Sequence, residues 1–153
     1  MRKSSLIILF TFNCILLSSG WIMAFYVYPR LPQNIPLWLN FIGQQIILTE
    51  KSRLFFIYPL IQTVFVLSFL IASRIISSKN PIPEEKFLLK EYIYLSLIFF
   101  NMIFIHIQRS IIFLAFKLEK GINQFYFLSL FCFILILIPC YRLRRKIMIK
   151  SQK

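Results

Sequence analysis

Residues 92–116 read YIYLSLIFFNMIFIHIQRSIIFLAF. The stretch carries one arginine, Arg109, and one histidine, His106, in a run that is mostly apolar and aromatic. Coiled as α-helix, at about 1.5 Å per residue, it is long enough to cross a hydrocarbon layer of about 30 Å. Three further stretches share that length and carry no charge at all: Leu6–Tyr28, Leu54–Ser73 and Ile122–Tyr141. Backbone groups inside lipid must bond to one another, which favours helices. Strands of a membrane barrel are about half as long and alternate polar with apolar residues, and these stretches do not. The expected fold is an all-α polytopic membrane protein, a single domain over 1–153. Four transmembrane helices, at about 6–28, 54–76, 88–116 and 122–142, form an antiparallel bundle.

Composition agrees. Of 153 residues, 59% are hydrophobic and 18% aromatic, whereas soluble domains are closer to half apolar. The first stretch needs a separate check, because Arg2 and Lys3 precede it and Ser18-Ser19-Gly20 resembles a signal-peptide cleavage site. Its apolar run continues through Trp21, Phe25 and Val27 to Tyr28. That is longer than a signal core, so it is read as a retained span.

A formal net charge of +13 would point to nucleic acid if the cations formed a patch. Their positions point to topology instead. Twelve of the eighteen (Arg2, Lys3, Arg74, Lys79, Lys86, Lys90, Arg142, Arg144, Arg145, Lys146, Lys150 and Lys153) fall on one side of four alternating helices. Arg30, Lys51, Arg53, Lys117 and Lys120 fall on the other, and Arg109 lies within the third span. This is the positive-inside asymmetry. It implies a protein of the plasma membrane with both termini cytoplasmic, and no nucleic-acid partner. The cluster Arg142, Arg144, Arg145 and Lys146 anchors that orientation and is placed to hold anionic lipid headgroups.

The chain offers little for catalysis. Its acids are Glu50, Glu84, Glu85, Glu91 and Glu119, all outside the spans, and His106 is the sole histidine. That excludes a triad or a histidine metal cage. Cys14, Cys132 and Cys140 have no metal spacing and read as small packing residues. No cofactor, no metal and no enzymatic activity are expected. Polar chemistry inside the membrane gathers instead on the third span. At about 100° per residue, Asn101 and Gln108 share a face, Arg109 lies beside them and His106 further round, an arc of about 160°. Such residues face protein or a water-filled cavity, so they serve as interhelical bonds or line a path. Candidate neighbours are Gln62 and Thr63 in the second span and Asn13 in the first. Arg109 lies near enough to the outer end to snorkel.

The connections are short. Asn80-Pro81 and Pro83 stop one helix, and Glu84 and Glu85 suit the first turn of the next, where the helix dipole favours anions. Gly121 is placed to end the third helix in a left-handed cap. The first connection differs: YPRLPQNIPLWLNFIGQ, Tyr28–Gln44, holds Pro29, Pro32 and Pro36 among apolar residues. Prolines exclude regular helix and favour extended or turn conformations. Asn40 and Gly43 suit a sharp turn, and Trp38 suits the membrane interface. The segment is read as a stiff, amphipathic cap over the outer mouth of the bundle. Lys51 and Arg53 mark the re-entry and snorkel to the headgroups.

This loop resembles the DUF1648 domain family, the N-terminal part of SdpI-type immunity and signalling membrane proteins. Pro32, Ile35, Pro36, Asn40, Gly43, Lys51 and Pro59 match the family pattern with its spacing from Asn40 to Pro59, in a segment of about 6–77. Trp38 and Ile46 stand where the family commonly has His and Asp. The resemblance implies a non-enzymatic membrane protein that binds a peptide or a membrane-protein partner at its outer face, with immunity to, or sensing of, a membrane-active peptide as the specific form. The residues alone leave two other readings open. One is a small transporter or ion-conducting protein using the polar face of the third helix, and the other is an assembly subunit of a membrane complex.

Overall fold

The computed structural model describes residues 2–39, 45–78, 82–118 and 123–150. Four helices run through it: α1 (Arg2–Val27), α2 (Ile57–Ser78), α3 (Pro83–Ala115) and α4 (Gln124–Lys150). Each is long and apolar enough to cross a membrane, and the chain is a multi-pass helical membrane protein. The bundle is organised around α3, which packs against α1, α2 and α4. In its most apolar window 44% of residues are buried, against 6% for α4, so α3 is the core helix and α4 presents most of its surface outward.

Helical geometry explains how one helix serves three neighbours. Residues seven apart lie on nearly the same line. Tyr94, Asn101 and Gln108 form one such line, toward α1. Tyr92, Phe99 and His106 form another, meeting Tyr141, Phe133 and Tyr126 of α4 with ring centroids 5.5, 5.5 and 4.5 Å apart. These two lines are about 160° apart, so α1 and α4 lie on opposite sides of α3. Between them, Phe100 and Phe104 pack on Phe65 of α2 at 5.0 and 5.4 Å.

The helix ends differ in part from their expected places. Glu84 and Glu85 do fall in the first turn of α3, but that helix starts at Pro83, whose missing N–H is one of the unpaired donors of a first turn. The left-handed cap of α3 is at Lys117, with φ 60°, whereas Gly121 lies outside the described residues. Leu118 N–H donates to the Phe113 carbonyl and Lys117 N–H to the Leu114 carbonyl, at 2.8 and 3.0 Å. That is the paired closure of a Schellman ending. α4 starts where the Asn123 side chain accepts the N–H of Tyr126 at 3.2 Å. It continues to Lys150, well past the expected end near 142. Neither glycine nor proline follows Pro139, so nothing breaks the helix, and its last turns carry cations that suit a helix C-terminus.

The first connection forms a small sheet. β1 (Asn34–Leu39) and β2 (Gln45–Glu50) pair antiparallel, with Asn34 opposite Glu50, Ile35 opposite Thr49 and Pro36 opposite Leu48, and an irregularity between Pro36 and Trp38. The expected turn at Asn40 and Gly43 lies outside the described residues. Leu31 and Ile35 are buried with Ala24 of α1, Phe55, and Ile111, Ile112 and Ala115 of α3. The hairpin is therefore seated on the end of the bundle, as a cap. A short 3₁₀ turn, Arg53–Phe56, leads into α2, with the Ser52 hydroxyl accepting the Leu54 N–H at 3.4 Å.

A non-glycine residue in the left-handed region is strained. Replacing Lys117 by Gly is expected to raise stability by about 0.5–1 kcal/mol, read as a higher unfolding midpoint of the purified protein in detergent. An unchanged or lower midpoint contradicts this account of the helix end.

Candidate functional site

The intramembrane polar residues meet in a chain of amides that crosses three helices. Asn13 of α1 donates from Nδ2 to two carbonyls, those of Leu9 at 2.9 Å and Tyr94 at 3.0 Å. Carbonyls only accept, so this end fixes which way the Asn13 amide points. Its Oδ1 then accepts from Asn101 Nδ2 at 2.9 Å, and Asn101 Oδ1 accepts from Gln62 Nε2 at 2.8 Å. Two turns nearer the hairpin, Gln108 Nε2 donates to the Gly20 carbonyl at 3.1 Å. Asn13, Gln62, Asn101 and Gln108 are all buried.

Gly20 makes this arrangement possible. A Cβ on Gly20 would stand 2.6 Å from Gln62 Oε1 and 3.6 Å from Gln108 Oε1. Only a residue without a side chain lets α1 approach closely enough for both glutamines to fit. Small residues serve this purpose between membrane helices. Gln62 Oε1 itself is buried without a hydrogen-bond partner. A second bridge ties α1 to α2: Trp21 Nε1 donates to Thr63 Oγ1 at 2.9 Å, and the Thr63 hydroxyl donates to the Pro59 carbonyl at 2.7 Å. Pro59 has no N–H, and it stands in the first turn of α2, where that loss is harmless.

The five residues expected to form one polar site divide. Asn101, Gln108 and Gln62 come together beside Gly20 and Asn13. His106 turns the other way, with its ring 4.5 Å from that of Tyr126. Arg109 is exposed and lays its guanidinium over the Phe113 ring at 4.6 Å. Phe113 is one turn nearer the hairpin end, so the side chain reaches toward that surface, as snorkelling requires. Asn13 and Gln62 meet Asn101 rather than Arg109. The residue not anticipated was Gly20. Its signal was available: Asn13 and Gly20 are seven apart, as are Asn101 and Gln108.

At the hairpin, Ile35, Pro36 and Pro59 are buried, and Asn40 and Gly43 lie outside the described residues. Pro32 is partly buried. Lys51 does not reach to headgroups as expected. Its ammonium turns to the loop's own backbone and donates to the carbonyls of Pro29 and Leu31 at 2.9 and 3.2 Å, 5.4 Å from the centre of the Tyr28 ring. Those carbonyls belong to a proline-rich segment with few ladder partners, and an ammonium carries three donors to satisfy them. Lys51 thus ties the entry of the loop to its exit.

The basic tail is also partly committed. Arg144 pairs with Glu91 at 3.4 Å and Arg145 with Glu85 at 3.1 Å. The Glu85 side chain is only 5% exposed, so its charge needs the guanidinium. Arg142 and Lys146 remain exposed, available to headgroups. Beside the Glu91 pair, Ser5, Phe87, Leu88, Ile147 and Met148 line a shallow groove of about 220 Å³. Among the described residues no three His, Cys, Asp or Glu side chains are grouped to hold a metal ion, and Cys14, Cys132 and Cys140 are unbridged. Comparison with protein-family models, with curated proteins and with solved structures yields no match.

Because Gly20 and Gln62 compete for one space, their substitutions should not add. Gly20→Ala is expected to cost about 1–3 kcal/mol in the parent chain and under about 0.5 kcal/mol in a Gln62→Ala background. Unfolding of the four variants in mixed micelles measures this. Equal costs in both backgrounds would remove Gln62 from the lock.

Proposed function

We propose that this is a non-enzymatic plasma-membrane protein with both termini cytoplasmic, whose rigid outer cap recognises a membrane-active peptide, as an immunity or sensing protein of the DUF1648 type. The observation that carries it is the division of labour along the molecule. The intramembrane amides bond to one another and to backbone carbonyls. They hold helices together and leave the hairpin as the structured element presented outside. The orientation rests on the charge asymmetry, with Arg142 and Lys146 placed for anionic headgroups.

The family-pattern residues support the same reading through their structural roles. Ile35 seats the cap, Pro36 is buried within it, Lys51 ties its ends and Pro59 lies in the first turn of α2. Trp38 and Ile46 replace the polar residues common in the family, so recognition rests on shape and apolar contact rather than on a titrating group. The transport reading draws on the polar face of α3. That face is engaged in side-chain bonds, with Arg109 on the outside of the bundle, and this weighs against a conducting path.

The test is protection. Cells lacking the gene, and cells overproducing it, are challenged with supernatants of strains that secrete membrane-active peptides. The deletion is expected to become at least tenfold more sensitive to one of them, restored by the wild-type gene but not by a Lys51→Met variant that inserts normally. Identical sensitivity in all strains would reject the immunity reading. Loss of proton or ion flux in vesicles with Asn101→Ala would favour transport instead.

A further inference from the structure

The two ion pairs at the end of the bundle that carries the chain termini differ. Arg145 meets Glu85 at 3.1 Å with the Glu85 side chain 5% exposed, so that pair is closed. Arg144 meets Glu91 at 3.4 Å with side chains 55% and 27% exposed. Both members of this second pair line the groove between α1, α3 and α4, where the Ser5 hydroxyl donates to the other Glu91 oxygen at 3.5 Å. These are long contacts for charged groups, which close to about 2.7–2.9 Å when well matched. A carboxylate has about four acceptor sites and a guanidinium five donors. The two contacts use one donor of Arg144 and one site on each Glu91 oxygen. The groove therefore keeps a cation that can donate beside an anion that can accept.

The chain fixes the depth of the groove. Glu91 directly precedes Tyr92, and Arg144 lies about one turn past Tyr141. The rings of these two tyrosines pack at 5.5 Å, and tyrosines mark the boundary of the hydrocarbon. Ser5 directly precedes Leu6, where the apolar run of α1 begins. Three helices thus bring Ser5, Glu91 and Arg144 to the headgroup layer. About one turn further from the hydrocarbon, Phe87, Leu88, Ile147 and Met148 complete the lining. Apolar walls lower the local dielectric and strengthen charged contacts. A volume of about 220 Å³ is below the roughly 300–1,000 Å³ of a site for a drug-sized molecule, and suits a headgroup.

We propose that this groove binds the headgroup of a phospholipid that carries a primary amine, with the phosphate accepting from Arg144 and the ammonium donating to Glu91. The pattern of charge selects this class. A guanidinium matches phosphate geometry, and a primary ammonium brings three N–H donors to a carboxylate. A headgroup that is only anionic would set its charge against Glu91. A quaternary ammonium has no N–H to donate. The proposal requires only that the chain spans a membrane. It is independent of the peptide reading and of the side on which the termini lie.

The test is retention of lipid by the full chain, read by native mass spectrometry from micelles holding equal amounts of phosphatidylethanolamine and phosphatidylcholine with identical acyl chains. Wild type is expected to retain the ethanolamine lipid at least about fivefold over the choline lipid, a difference of about 1 kcal/mol. Retention should fall along the N-methylated series as methyl groups replace N–H donors, and this series decides the matter even where a variant fails to fold. Glu91→Gln should bring the preference below about twofold, and Arg144→Gln should lower retention of the ethanolamine lipid at least about threefold. Lys150→Gln, an exposed cation on the same helix outside the groove, should leave both unchanged. Equal retention of the two lipids by wild type, or a preference that survives Glu91→Gln in a folded chain, would overturn the proposal. Displacement of the lipid by an equal concentration of soluble glycerophosphoethanolamine would also overturn it, by showing a site for a water-soluble ligand.

Discussion

Between helices bathed in hydrocarbon there is no hydrophobic force to choose one face over another, and packing and hydrogen bonds must do so. Here the choice is made where α1 approaches α3 over Gly20. Asn13 meets Asn101, and Gly20 meets Gln108, with the same sequence offset of 88 in each pair. Two contacts at one offset, two helical turns apart, set both rotation and register of a parallel pair. Rotating α1 by one residue would break the bonds of three buried amides, Asn13, Asn101 and Gln108. The rest of the bundle is built on that pair. α2 enters it through Gln62, and the cap is seated on its end through Ala24, Ile111 and Ala115.

α4 is held by different means. It lies on the side of α3 away from the amides, and three ring contacts run along that interface, with Leu130 buried. Aromatic contacts tolerate sliding better than amides do, since ring faces have broad minima. The register of α4 is fixed instead at its end, by Arg144 on Glu91 and Arg145 on Glu85. A buried carboxylate without a partner is costly, so Glu85 makes this a constraint rather than a decoration. The tail thus has two duties, with Arg144 and Arg145 facing the protein and Arg142 and Lys146 facing outward.

The bundle was legible in the sequence because membrane spans announce themselves through length and missing charge, which require no knowledge of partners. The roles of individual polar residues were legible only in part. Angle alone places Asn101 and Gln108 on one face and offers Asn13 and Gln62 as candidate neighbours. Angle does not supply which helix lies opposite, and so it does not separate His106 and Arg109 from residues they do not meet. Gly20 is silent in the sequence because a glycine in an apolar run carries no chemistry of its own, and its meaning lies in the two glutamines that occupy the space a side chain would fill. Lys51 conceals its role for the reverse reason. A lysine at a membrane boundary ordinarily snorkels, but the prolines nearby leave carbonyls without ladder partners, and an ammonium answers that need better than water at an apolar surface does.

Proline explains both the shape of the cap and its reliance on Lys51. Pro29, Pro32 and Pro36 remove three N–H donors from one short segment, leaving it with more acceptors than donors. A strand with that imbalance cannot satisfy itself through a ladder alone. Pro36 is accommodated because its ring nitrogen points away from β2, where the ladder asks for no donor, and Pro29 lies in a 3₁₀ turn where an N–H is dispensable. The surplus carbonyls of Pro29 and Leu31 gather on Lys51. Removing that ammonium would leave both acceptors at the entry of the loop without their donor and untie the exit from them, while Ile35 still held β1 to α1 and α3. The cap is therefore pinned at its centre by burial and at its base by charge. A partner that pulled on the hairpin would strain the Lys51 contacts before it unseated Ile35, because the former lie nearer water and the latter has no exposed surface.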